Sequence, residues 1–198
     1  MEKPAVTDVP LNELLRRRWS PRAFDPRPVE KEALRRIFEA ARWAASAYNE
    51  QPWRFLLASR DQEPAFSLLL GCLVEQNQVW AANAGVLAVG VTRKFFTHNE
   101  KPNRHAHHDL GLAVAQLSLQ AVAEGIFVHP MAGFSPERVR QVWSVPEIYE
   151  PLVALALGYP GDPDLLAEDL RQREYAPRER RALEELVFGG TWNDPFWK

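Results

Sequence analysis

Leu34, Ile37, Phe38, Ala41 and Ala45 recur three and four residues apart through VEKEALRRIFEAARWAA, a spacing that gathers apolar side chains on one face of a helix. Leu11, Leu14 and Leu15 in LNELLRRRW predict a shorter helix ending near Arg18, and Pro21 with Asp25-Pro26 marks the loop that follows. QPWRFLLAS, GVLAVGVTR near residue 90 and PLVALALGYP near residue 155 are short aromatic and aliphatic runs closed by turn formers, which predicts three strands. Between the last two lies a long helix, roughly Asp109 to Glu124, with Asp109 expected as its N-cap and Gly125 as its stop. Ser135-Pro136-Glu137 opens another: a hydroxyl cap, a proline whose missing N–H costs nothing in a first turn, and a carboxylate at the positive end of the helix dipole. Helices around a modest sheet, without regular strand–helix alternation, predict an α+β fold.

From about residue 163 the pattern changes to the charge-rich LLAEDLRQREYAPRERRALEELVFGG and the aromatic TWNDPFWK, which suggests an extended arm. No repeat, low-complexity tract or Gly/Ser linker divides the chain, so residues 1–198 are expected to form one domain with a C-terminal arm. Trp192, Phe196 and Trp197 are too apolar for a free end, and packing on a partner subunit is expected. With 46% hydrophobic residues the chain can bury one substantial core. Its 24 basic and 26 acidic residues leave a formal charge of −2, so no partnership with nucleic acid or an anionic membrane is expected and any cationic cluster acts locally. Cys72 is the only cysteine, and no spanning or leader-like segment is visible, so a cytoplasmic location is expected. Its apolar surroundings in FSLLLGCLVEQ suit a packed thiol rather than a nucleophile.

One local cluster stands out, RRRWSPRAF, with four arginines in residues 16–24. Successive helical residues point about 100° apart, so at most one or two of Arg16 to Arg18 can face a single ligand. The Ser20 hydroxyl and the planar fork of Arg22 suit phosphate oxygens, although a solvated basic face accounts for the run as well. In AASAYNEQPW the small residues around Ser46 permit close approach of a flat ligand, and Asn49 can donate and accept; a helix end and turn would also explain them. His98, His105, His107 and His108 fall in a polar loop without a metal-binding motif, and no metal is expected.

Taken together, these stretches resemble the nitroreductase family of FMN-dependent oxidoreductases. The basic-Ser-x-basic opening, the small-Ser-small-x-Asn-x-Gln-Pro-Trp loop, DLGLAVAQLSLQAVAEGI, HPMAGF, LALGYP and PRERRALEE occur in the family's order over nearly the whole chain. The resemblance implies a nitroreductase-like fold: a central, mainly antiparallel sheet flanked by helices, in a homodimer. It implies that Arg18, Trp19, Ser20 and Arg22 follow the phosphate, ribityl chain and pyrimidine side of FMN, and that Arg178 and Arg180 complete the phosphate clamp. Ser46, Ala47 and Asn49 would reach the flavin of the other subunit, giving two sites per dimer. Asn77 would meet the flavin's polar edge, while Pro130, Met131, Ala132 and Gly133 would lie along the isoalloxazine, with the amides of Ala132 and Gly133 near N5.

Two departures alter the pattern. Ala45 stands where the family usually has proline, and Trp80 where some members carry a lysine near the flavin's N1 and C2 carbonyl, which would leave that charge to Arg22. The implied activity passes electrons from NADH or NADPH through FMN to a small electron-poor acceptor such as a nitroaromatic or quinone. Because the cofactor carries the reaction, no side-chain acid, base or nucleophile is assigned. The same fold could serve another FMN reaction, reductive dehalogenation or substrate dehydrogenation, or bind flavin without turnover.

Overall fold

The computed structural model describes residues 1–197. Four strands, β1 (Trp53–Ser59), β2 (Val86–Arg93), β3 (Phe127–Met131) and β4 (Tyr149–Gly158), form an antiparallel sheet in the order β1-β2-β4-β3. Around it lie α1 (Glu13–Arg17), α2 (Lys31–Arg42), α3 (Ala65–Leu70), α4 (Glu75–Ala81), α5 (Ala106–Ala123), α6 (Pro136–Trp143) and α7 (Glu168–Tyr175). Neither central strand shows an exposed face, because helices cover both sides of the sheet. Val86 and Ala88 of β2 join Leu155 and Leu157 of β4 against Ile37 and Ala41 of α2 and Leu117 of α5. Their alternates Leu87, Val89, Ala154 and Ala156 pack against Leu69, Trp80 and Val139 from α3, α4 and α6.

The expected α2, β1, β2 and β4 are all present. Ser135 caps α6 by accepting from the Arg138 amide at 3.2 Å, and Gly125, at φ +71°, takes the left-handed step after α5. Asp109, however, is not an N-cap: α5 starts at Ala106 behind His105, and Asp109 lies buried in its first turn. Its carboxylate is spent on another segment, accepting from the Ala47 amide at 3.0 Å. FSLLLGCLVEQ also breaks, since α3 ends at Leu70 and Cys72 occupies the turn beyond. The Cys72 thiol is buried, and desolvation raises its pKa.

The arginine-rich segment after α1 is fastened to the end of β4. Phe24 bridges Pro160, the Asp25 amide donates to the Tyr159 carbonyl at 3.0 Å, and the Gly161 amide donates to the Ala23 carbonyl at 2.9 Å. A Cβ on Gly161 would lie 2.5 Å from the Phe24 carbonyl carbon, so glycine is required for this approach. Past α7 the chain runs to a small hairpin bridged between Phe188 and Pro195, where Trp192 remains 82% exposed.

Candidate functional site

Residues from both ends of the chain meet in a cleft of about 190 Å³ lined by Lys3, Arg18, Trp19, Ser20, Arg22, Arg173, Glu174, Arg178 and Arg180. The fold thus brings together all six residues expected in the basic clusters. Trp19 anchors the cleft by packing edge-on against Phe127 of β3 and against Val122 of α5. Arg18, the C-cap of α1, donates to the Ser20 hydroxyl at 3.4 Å. Arg178 donates to the backbone carbonyls of Lys3 and Arg16 at 2.9 and 3.1 Å.

Among the described residues, none of these arginines has a carboxylate at ion-pair distance. Burial lowers the pKa of Arg18, and the neighbouring guanidiniums of Arg178 and Arg180 lower it further; Arg178 responds to burial and Arg180 in the same direction. Cations gathered in this way repel one another and are relieved by an anion. The cleft's one carboxylate, Glu174, is buried and turned to the backbone: its Oε1 accepts from the amides of Arg22 and Ala23 at 2.8 and 3.0 Å. Its Oε2 and the indole N–H of Trp19 are buried with no partner among the described residues. Charge, donors and unpaired polar atoms all fit a ligand with a phosphate and a hydroxylated tail. Lys3, Arg173 and Glu174 were not anticipated from the sequence; their only signal was the charge of their own segments.

A line of contacts runs from this cleft to the Pro130–Gly133 segment. His129 of β3 lies with Nδ1 2.8 Å from the Pro21 carbonyl, which can only accept, so Nδ1 carries the proton. Burial draws the His129 pKa down to about 4, partly opposed by that bond and reinforced by Arg22 and Arg18. The His129 ring packs on Trp80, which also stacks with Phe24 and is buried in the core. Trp80 is therefore a packing residue in this chain, with its ring closed off from the cleft. One turn earlier on α4, Asn77 donates from Nδ2 to the Gly133 carbonyl at 3.1 Å, and the Val74 amide donates to the same oxygen at 3.1 Å. The Phe134 amide holds the Ala132 carbonyl at 3.0 Å, which orients the intervening peptide and its Gly133 N–H. That N–H has no acceptor among the described residues. Pro130 and Ala132 are exposed beside it, whereas Met131 is buried.

Ser46, Ala47 and Asn49 lie elsewhere. Ser46 precedes, and Ala47 and Asn49 bound, a tight 3₁₀ turn, Ala47–Asn49, held near the N-terminal end of α5 through Asp109, whereas Trp19 packs at that helix's other end on Val122. The stretch of α5 from Asp109 to Val122 spans roughly 20 Å at about 1.5 Å per residue. Tyr48, Asn49 and Gln51 all have positive φ, at 55°, 54° and 49°, and the Ser46 hydroxyl accepts from the Gln51 amide at 3.0 Å. The nearby histidines are engaged individually: His107 with Glu150 at 2.8 Å, His108 with Asp109 at 3.1 Å and His98 with Glu50 at 3.8 Å.

The family model described as "Nitroreductase family" matches residues 15–159. A crystal structure described as an oxidoreductase containing FMN superposes with a TM-score of 0.90 at 36% identity, covering 96% of each chain. A Mycolicibacterium smegmatis protein, named as a 15.4 kDa protein in the ask 5′ region, is 36% identical over 133 residues, 67% of this chain and 88% of its own. The NADH dehydrogenase of Thermus thermophilus is 30% identical over 199 aligned positions, covering 86% of this chain and 91% of its own. A four-stranded antiparallel sheet between helices, a cleft built from the expected basic residues and a family match across the sheet lead to one conclusion: the chain belongs to the nitroreductase family.

Proposed function

We propose that this chain is an NAD(P)H-dependent FMN oxidoreductase that reduces a small electron-poor acceptor such as a nitroaromatic or quinone. The observation that carries this reading is the cleft of unpaired guanidiniums in a chain superposing on an oxidoreductase that contains FMN. Arg18, Arg22, Arg178 and Arg180 would hold the phosphate, with Trp19 and Ser20 along the ribityl chain and Asn77 and the Pro130–Gly133 segment beside the ring. FMN, when bound, supplies two-electron transfer between a nicotinamide and an acceptor. The chain's own contribution is orientation and charge. Paired bonds at the Gly133 carbonyl and one at the Ala132 carbonyl hold a free backbone N–H in place, so it can donate to a ligand atom without rearranging.

The functional unit in this reading is a homodimer of single FMN-binding domains, each with its C-terminal arm. Its support is the roughly 20 Å that separates the Ser46–Asn49 turn from the cleft along α5. Such a gap lets that turn serve a second copy's flavin while the cleft holds its own. The exposed Trp192 and an open apolar groove of about 490 Å³ between α2 and the edge strand β1 are surfaces a second copy can cover. The free Cys72 thiol accords with a reducing, cytoplasmic setting.

Anaerobic mixing with NADH or NADPH, followed at the flavin absorbance, tests the reading. The protein is expected to copurify with FMN, bleach with at least one donor and give parallel double-reciprocal lines once an acceptor is added. Gly133→Val should slow bleaching strongly, because a Cβ there would lie 2.7 Å from Asn77 Nδ2 and 2.8 Å from Val74 Cγ2. Protein that neither carries nor binds FMN would overturn the assignment.

A further inference from the structure

The N-terminal segment, which carries Lys3, forms one wall of the cationic cleft. The Ala5 amide donates to the Arg16 carbonyl at 2.8 Å, Glu2 lies 3.8 Å from Arg17, and Arg178 ties the Lys3 and Arg16 carbonyls together. These bonds place the Lys3 side chain among the arginines. Its Nζ donates to the Glu174 carbonyl at 2.6 Å and lies 5.2 Å from the centre of the Trp19 ring. An ammonium has three donors, and only one is used here. No carboxylate is at ion-pair distance from it among the described residues. Burial lowers the Lys3 pKa; the Glu174 carboxylate opposes this, and Arg178 and Arg22 add to it.

A flexible lysine at a chain end is free to point into water, where its charge is best solvated. Here it is held half-buried, beside like charges, by a carbonyl and an aromatic face. An anion in the cleft would turn that unfavourable placement into an attraction. We propose that Lys3 is a phosphate-binding residue of the flavin site, carried into the cleft by the N-terminal segment. The inference rests on the FMN reading above and adds a cation, and a third stretch of chain, to the arginines that reading uses. The rival role is structural: Lys3 would merely cap the C-terminal end of α7 through the Glu174 carbonyl and cover Trp19.

The two roles separate with a ligand pair that differs only in the phosphate. The full-length apoprotein is titrated with FMN and with riboflavin, read by quenching of flavin fluorescence, for the wild type, Lys3→Met and Lys3→Arg. Methionine keeps an unbranched stem over Trp19 and removes the charge; arginine restores the charge. Lys3→Met is expected to weaken FMN about tenfold, the loss of one charge-assisted bond, while leaving riboflavin unchanged. Lys3→Arg should recover most of the FMN affinity, and the salt dependence of FMN binding should be shallower in Lys3→Met than in the wild type. Equal FMN affinity in wild type and Lys3→Met overturns the proposal, as does an equal loss for both flavins. Wild-type protein that binds FMN no better than riboflavin defeats the underlying FMN reading itself, a result distinct from a wild type that prefers FMN but ignores Lys3.

Discussion

Toward the C-terminal end of α5, Arg18, Arg22, Arg173, Arg178 and Arg180 share a cleft without a carboxylate at ion-pair distance among the described residues. At the N-terminal end, the charges around the Ser46–Gln51 loop are matched within the chain. Glu50, only 3% exposed at its side chain, accepts from the Thr97 amide and hydroxyl at 2.9 and 3.1 Å and lies 3.9 Å from Arg93. Arg93 also pairs with Glu100 at 3.0 Å, and Asp109 holds the Ala47 amide. The difference follows from what each region must do. The loop keeps Tyr48, Asn49 and Gln51 in left-handed backbone, at a cost on the order of 1 kcal/mol or more apiece, and internal bonds must offset that strain. The cleft is left electrostatically incomplete, so that its stabilisation arrives with a ligand.

The two regions therefore fail differently. Glu50→Ala should strip the loop of its clamp, removing two charge-assisted bonds to Thr97 and one of the two carboxylates near Arg93, at a cost of about 3 kcal/mol. For a chain of this length, that corresponds to a melting temperature lower by roughly 6–12 °C by calorimetry of the apoprotein. An unchanged melting temperature would show that the loop does not depend on this pairing. Arg18→Ala should do the reverse: FMN affinity falls about ten- to a hundredfold, while the apoprotein melts at the same temperature or higher because like-charge repulsion is relieved. A large loss of apoprotein stability would instead mark Arg18 as a structural cation.

The smallest effect concerns His129, which sits beside the cleft. Its folded pKa of about 4 lies below the ordinary 6.5, so between these values the unfolded chain holds a proton that the folded chain refuses. Stability is therefore lost as pH falls through this window, by about 1–2 kcal/mol between pH 6.5 and about pH 5. Urea midpoints measured across the window should show this slope, and His129→Gln should flatten it.

What could be read from the chain beforehand depended on whether the cause was local. α2 announces itself through Leu34, Ile37, Phe38 and Ala41, and α6 through Ser135-Pro136, because periodicity and capping act within a few residues. β3 gave no such signal: it is five residues long, its burial does not alternate, and it contains His129 and Pro130. Its register is set by pairing with β4. Asp109 looked like a cap because nothing nearby reveals that its carboxylate serves Ala47, 62 positions away. Lys3 and Glu174, 171 positions apart, were invisible for the same reason. The arginines around Arg18 and Arg178 were legible as ordered motifs, but their shared lack of counter-ions is a property of the folded cleft.

The length of α5 also has a genetic meaning. In the proposed dimer, each flavin draws its cleft from one copy and its Ser46–Asn49 turn from the other, so a lesion at Arg18 and a lesion at Asn49 injure different halves of a site. Placed in separate copies of the gene, the two lesions meet in mixed dimers. One site there inherits both defects, and the other inherits neither. Two alleles, each inactive alone, would then restore activity when expressed together, and a rigid helix roughly 20 Å between its two contacts would be the reason.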